Sequence, residues 1–257
     1  MKRIKITVVV ALALSVTTAT FSVNKSAASR SRDIAGDGFA ILELFTSEGC
    51  SSCPPADDLL GRLQEEAGTK PVYVLSYHVD YWDQNGWKDV FSNPAFTKRQ
   101  YDYSRRFNDQ VYTPQVIVNG KIEFVGSNEK TARKAISNAL ATPASRSLLA
   151  TAIQKGQSLQ ISYEVSGKAD GVKLMLAVVQ KHAMSKIKAG ENEGRTLSHP
   201  QIVRDLHSVA LRGEGKASVQ IPLPADFDAT SWEVIGFLQE KETGEIYAAE
   251  RIAIAKP

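Results

Sequence analysis

The chain has two cysteines, and both stand in the tetrapeptide Cys50-Ser51-Ser52-Cys53. Two thiols separated by two residues can close a small disulfide ring, so the chemistry within reach is thiol–disulfide exchange. An apolar run ends just before the pair and a helical pattern starts just after it, which places Cys50 at a helix N-terminus. There the unpaired backbone N–H groups and the positive end of the dipole favour the thiolate. Cys50 is then the nucleophile and Cys53, one turn further in, the resolving thiol. Two other readings stay open. As a purely structural cross-link, a four-residue ring removes only about 2 kcal/mol of unfolded-state freedom, against roughly 4.7 kcal/mol for a loop of 100 residues. As a closed zinc site the pair lacks companions, because the same half of the chain has no second Cys-x-x-Cys and no spaced His pair. No cofactor and no resident metal is assigned.

His78 and Asp80 end the second predicted strand and are accessory candidates near the sulfurs. His78 could move protons or join both cysteines around Cu(I), which prefers thiolates; the plainer reading is a strand-end His bonded to backbone. Tyr81, Trp82 and Trp87 either line a groove for an unfolded chain or cover core. Glu193, Arg195, His199 and His207 fall in a polar stretch that forms a partner surface, covers the redox pair, or is a solvated loop with internal ion pairs. There is no Gly-x-Ser-x-Gly segment, P-loop or dinucleotide fingerprint, which leaves hydrolase, kinase and dehydrogenase readings without support.

The elements that must position these residues follow from periodicity and punctuation. Phe39 to Phe45 suits a buried strand, and Leu59, Leu60 and Leu63 recur at helical spacing until Gly68. Pro71 to Tyr77 reads as a second strand. Ser92-Asn93-Pro94 opens a helix carrying Phe96, Tyr103 and Phe107. Gln115 to Val118 and Lys121 to Val125 flank Asn119-Gly120, a strong hairpin signal. Ser127 is the expected cap of a last helix that Pro143 ends. After about residue 145 the texture changes to short strand-like runs broken by Gly, Pro and Asp, which suggests an antiparallel sandwich. His182 to His207 interrupts them as a long polar excursion.

The 257 residues are 43% hydrophobic, enough for real cores, and the net charge of +3 comes without a dense Lys/Arg stripe, so no nucleic-acid partner is expected. Lys2, Arg3 and Lys5, an uncharged run from Ile6 to Val23, and the small residues Ser26, Ala27 and Ala28 make up a secretory signal layout. The alternative is a membrane anchor, so a membrane contact is expected only through an uncleaved signal segment. The expected address is periplasmic or secreted.

The segment Phe45-Thr46-Ser47-Glu48-Gly49-Cys50-Ser51-Ser52-Cys53 resembles the active-site segment of thioredoxins, and Val111-Tyr112-Thr113-Pro114-Gln115-Val116 with Asn119-Gly120 resembles their cis-proline strand and hairpin. More narrowly, Glu43-Leu44-Phe45-Thr46-Ser47, Cys53-Pro54-Pro55-Ala56-Asp57, His78-Val79-Asp80-Tyr81-Trp82-Asp83 and Tyr112-Thr113-Pro114-Gln115 are similar to an exported thioredoxin-like family of unknown function. The resemblance implies a cis peptide before Pro114, with Thr113 offering its backbone to an extended substrate. It also implies a buried acid on the strand before the cysteines. Leu44 occupies that position, and its neighbour Glu43 is the accessory candidate, although strand alternation turns it to the other face. The expected organisation is a signal peptide over 1–28, a tether over 29–37, an α/β thioredoxin-like domain over 38–143, and a mainly antiparallel, sandwich-like β-rich domain over 146–257. The expected function is a thiol–disulfide oxidoreductase acting on thiol or disulfide substrates, proteins among them. The alternative is a non-catalytic binding protein: a Cu(I) carrier, or a partner-docking module with a structural disulfide.

Overall fold

A buried apolar strand, β1 (Ala40–Thr46), sits at the centre of the cysteine-bearing half in the computed structural model, which describes residues 38–255 apart from residue 212. The predicted signal peptide and tether lie outside the described residues. Because successive side chains of a strand point to opposite faces, Ile41 and Phe45 enter one core and Ala40, Leu42 and Leu44 another. Helix α1 (Pro54–Ala67) begins with two prolines, which lose nothing there because the first N–H groups of a helix have no intrahelical acceptor. Its Leu59, Leu60 and Leu63 face the second of those cores, and Gly68, at φ 56°, ends it.

The chain continues through β2 (Val72–His78), a single 3-10 turn at Asp80–Trp82, and α2 (Pro94–Phe107), whose Asn93 cap accepts from the Ala95 N–H at 2.9 Å. Then come β3 (Gln115–Val118), β4 (Ile122–Val125) and α3 (Glu129–Ala141). The turn between β3 and β4 is the predicted Asn119-Gly120, with φ of 50° and 68°. The cap of α3 is Asn128, one residue beyond the predicted Ser127, and it accepts from the Thr131 N–H at 3.1 Å.

Seven further strands follow: β5 (Ser147–Lys155), β6 (Ser158–Ser166), β7 (Val172–Lys186), β8 (Thr196–Ala210), β9 (Gly215–Pro222), β10 (Trp232–Glu240) and β11 (Ile246–Ala255). Together with the first four they form one mixed sheet in the order β4-β3-β1-β2-β8-β7-β10-β11-β5-β6-β9. β1 and β2 run parallel, and so do β2 and β8; most remaining pairs are antiparallel.

This corrects the expected fold class. The described chain is mainly β, with eleven strands in a single sheet and three α-helices, and it is not an α/β thioredoxin-like domain followed by a separate sandwich-like domain. The cause is β8, which joins β2 where Ser76 pairs with Ile202 and the Ser76 hydroxyl donates to the Pro200 carbonyl at 2.8 Å. The stretch read as a polar excursion, His182 to His207, supplies the long arms of the β7–β8 hairpin. Its His, Lys, Ser and Arg residues hide the strand because extended backbone needs pairing partners more than it needs apolar side chains. Packing crosses the two sequence halves as well. One core joins Phe45, Tyr77, Phe96 and Tyr103 to Ala177, Val179, Ile235 and Phe237. A third core lies within the second half, shared by β5, β6, β7, β9, β10 and β11.

Candidate functional site

Cys50 and Cys53 are joined in a disulfide with Cα atoms 5.4 Å apart. Cys53 is the N-cap of α1, and the Ala56 and Asp57 N–H groups donate to its carbonyl at 2.8 and 3.2 Å. Cys50 therefore sits one turn before the helix rather than at its first residue. Its sulfur has two hydroxyl neighbours, Thr113 Oγ1 donating at 3.3 Å and Ser52 Oγ at 3.5 Å. The Thr113–Pro114 peptide is cis, and the Pro114 carbonyl accepts from the Gly126 N–H at 2.9 Å. A side chain at Gly126 would press on Ala56, Leu44 and Pro114 at 3.1–3.2 Å, so the Thr-Pro loop, α1 and β1 meet closely beside the disulfide.

Both cysteines have 0% exposure, while Ser51 and Ser52 between them are exposed. Two segments close over the pair. Trp82 donates from Nε1 to Thr113 Oγ1 at 2.9 Å, and its Cβ lies 3.2 Å from where a Gly49 Cβ would stand. From the other side comes the turn of the β7–β8 hairpin. Glu191 Oε2 accepts from the Ser51 hydroxyl and N–H at 2.7 and 3.1 Å. The buried Asn192 amide donates to the Glu48 and Cys50 carbonyls at 2.8 and 3.0 Å and accepts from Arg195 at 2.6 Å. Of the polar residues singled out in this stretch, Arg195 supports the cover through Asn192, while His207 pairs with Asp205 on β8 at 3.1 Å.

The other candidates divide. His78 is buried, with Nδ1 2.6 Å from Asp89 Oδ2, and belongs to a polar cluster under the cysteine loop. Asp80 is taken up by α2, where the Thr97 hydroxyl donates to its carboxylate at 2.5 Å. Glu43 is buried on the α2 face, paired with Arg99 at 2.5 Å and accepting from the Tyr103 hydroxyl at 2.5 Å. It does not supply an acid to the sulfurs. Among the described residues, no group of three or more His, Cys, Asp or Glu side chains is gathered in a metal-holding arrangement.

A buried acid does follow the cysteines, at a residue that sequence reasoning passed over as part of a phrase. Asp57 lies four residues after Cys53, on the same helical face, and is buried. Its Oδ2 accepts from the Thr46 hydroxyl at 3.1 Å, and its Oδ1 has no hydrogen-bond partner. Burial pushes its carboxyl up to about 7, the His78 charge and the Thr46 bond offsetting only part of that. The available signal was an Asp at a core-facing helical position, one turn from a cysteine.

The match to a family model spans residues 41–239, from β1 through the cysteines and the hairpin to β10, and the family is described as a protein of unknown function (DUF1223). The chain belongs to the DUF1223 family. This DUF1223 chain is similar in structure to protein AGR_C_4864 from Agrobacterium tumefaciens, solved by X-ray crystallography, at 27% identity and a TM-score of 0.62, over 85% of this chain and 96% of that one. It is also similar to HBP35 of Porphyromonas gingivalis at a TM-score of 0.59, over 88% of this chain and 78% of that one; at 14% identity this likeness is one of fold. No curated protein matches the DUF1223 chain.

Proposed function

We propose that this protein is a thiol–disulfide oxidoreductase, exported to an oxidising compartment, that works through Cys50 and Cys53. The observation that carries the reading is the company of the disulfide: a hydroxyl donor on Cys50 Sγ and a half-bonded buried acid one turn behind Cys53. The local likeness of the cysteine and Thr-Pro segments to those of thioredoxins supports it, as does the signal layout of the N-terminus.

In the direction that consumes the disulfide, a substrate thiolate attacks Cys50 Sγ, the Sγ–Sγ bond breaks, and Cys53 leaves with the electron pair, taking a proton from Asp57. A second substrate thiolate attacks the substrate sulfur of the mixed disulfide and displaces Cys50 as a thiolate, which the Thr113 hydroxyl stabilises. Two substrate thiols have then become one disulfide. In the reverse direction Asp57 takes the Cys53 proton. Since neither sulfur is exposed, each direction requires the Glu191–Asn192 turn to move off the loop.

The purified protein is expected to exchange disulfides with glutathione. Cys50→Ser should remove the exchange, and Cys53→Ser should accumulate a mixed disulfide at Cys50, both read by mass spectrometry. A wild-type disulfide that stays intact in excess thiol without denaturant rejects the proposal. One observation favours a second reading, a partner-docking module with a structural disulfide: the complete burial of both sulfurs. That reading predicts that Cys50→Ser leaves partner binding intact.

A further inference from the structure

Under the cysteine loop, five ionisable side chains from five segments are buried together: Glu48 after β1, Asp57 in α1, His78 at the end of β2, Asp89 before α2 and His199 in β8. The exchange chemistry uses only Asp57. The cluster is tightly organised around Asp89. Its Oδ2 meets His78 Nδ1 at 2.6 Å and accepts from the Glu48 N–H at 2.9 Å, while its Oδ1 accepts from the Phe91 N–H at 2.8 Å. Glu48 accepts from Trp87 Nε1 at 2.7 Å and lies 3.3 Å from His199 Nε2, without a hydrogen bond between them. The His78 ring stands edge-on to His199 at 5.1 Å and to Phe91 at 5.3 Å.

Buried polar groups are normally hydrogen-bonded. Here His78 Nε2, Asp57 Oδ1, Glu48 Oε1 and both ring nitrogens of His199 are not. The charges are nonetheless unequal. Burial works against the charged form of His78, but the Asp89 charge and hydrogen bond overcome it and raise its affinity for the proton, with Asp57 and Glu48 adding to the effect. Burial also disfavours the charged form of His199; the Glu48 contact opposes this and the His78 charge adds to it, so the proton affinity of His199 is lowered. Burial raises Glu48 and Asp89, but the His199 and Trp87 contacts bring Glu48 below the usual carboxylate range, as the His78 charge and hydrogen bond do for Asp89. Of the two imidazoles, His78 is thus the one whose proton affinity is raised, and an imidazolium there favours the ionised form of Asp57.

We propose that His78 is a positioning residue for the cysteine pair: fixed by Asp89 through one ring nitrogen and unbonded at the other, it acts on Cys53 through Asp57. This rests on the exchange reading of the cysteines. As a cation, His78 favours the ionised form of Asp57, which is the form that takes a proton from the Cys53 thiol. Without that charge Asp57 holds its proton to higher pH, where it can still protonate a departing Cys53 but serves less often as the base. Loss of His78 therefore slows one direction of exchange and spares the other.

The test is the rate of exchange between the full chain and glutathione, measured in both directions from pH 5.5 to 8.5 for wild type and His78→Gln. If the loss of the imidazolium raises Asp57 by about one unit, the ionised fraction at pH 7 falls roughly fivefold. The expected result is that the reduced variant loses about fivefold in rate toward oxidised glutathione at pH 7 and recovers above pH 8, while attack of glutathione on the oxidised variant is unchanged. Equal slowing in both directions, or an unmoved pH profile, overturns the proposal. If the variant does not fold, the wild-type protein decides by carbon NMR. The His78 imidazole should register a step at the midpoint of the Asp57 carboxyl, and a His78 signal blind to that step overturns the proposal. A wild type inert toward glutathione takes down the exchange reading and this inference together, whereas an active wild type with an unshifted variant removes only the role of His78.

Discussion

At the residue scale the proposed exchange chemistry turns on how one carboxyl is buried. Asp57 keeps a proton to about pH 7 in the folded chain because burial penalises its charge, while in the unfolded chain it ionises near 4. Between those values the native state binds more protons than the unfolded state, so this group's contribution to stability is complete below about pH 4 and is lost as pH rises through 7. Asp57→Asn removes that loss. The variant should match or fall slightly below wild type at pH 4 and exceed it at pH 8 by roughly 2–4 kcal/mol, the scale of a shift of about three units. Urea titrations at the two pH values measure the difference. The same variant should slow resolution of the mixed disulfide at Cys50, because no base takes the Cys53 proton, and quenched-flow alkylation reads that step.

At the scale of elements, the hairpin turn between β7 and β8 covers the cysteine loop from one side. Asn192 spends its whole amide on the Glu48 carbonyl, the Cys50 carbonyl and Arg195. Its removal leaves the Glu48 carbonyl without this donor and the Cys50 carbonyl with only the Cys53 N–H at 3.2 Å, at a cost of about 1–3 kcal/mol. Asn192→Ala should therefore lower the denaturation midpoint and at the same time speed the reaction of the disulfide with a small thiol, since the cover opens more often. Parallel thermal melts and thiol kinetics check the pair of effects; a slower reaction would count against the hairpin as a cover. The cysteine loop, by contrast, is legible in the amino-acid sequence: a buried strand, Cys-x-x-Cys, and a helix carrying Leu59, Leu60 and Leu63 follow from local rules, although the helix starts already at Pro54 rather than beyond the prolines. The docking of a turn some 140 residues away is only one of three readings of that polar stretch, and nothing local selects it, because Glu191 and Asn192 read there only as polar residues.

Across the whole molecule, α2 ties the two sequence halves together. Arg99 reaches buried Glu43 at 2.5 Å and Gln239 of β10 at 3.0 Å, and Tyr103 receives a hydrogen bond from Gln239 at 2.7 Å. With β8 also paired to β2, the described residues should unfold in one transition. Trp82 and Trp87 report on the cysteine half and Trp232 on the other, so single-tryptophan variants followed by fluorescence should give coincident midpoints. Arg99→Ala strands a buried carboxylate, costs roughly 3–5 kcal/mol, and should lower both midpoints equally.

What the amino-acid order determined by itself is local: the cysteine pair and its flanking strand and helix, the Asn119-Gly120 turn with its positive φ angles, and the stops at Gly68 and Pro143. Each depends on residues within a turn or two of each other, where sterics and backbone hydrogen bonding act without help from the rest of the chain. Tertiary structure alone decided that the strands of both halves share one sheet, that Glu43 serves α2 while Asp57 stands behind the cysteines, and that His78, Asp89, Glu48 and His199 meet in one buried cluster. Those outcomes depend on burial and charge between residues far apart in sequence, and neither quantity exists for a side chain until the chain has folded around it.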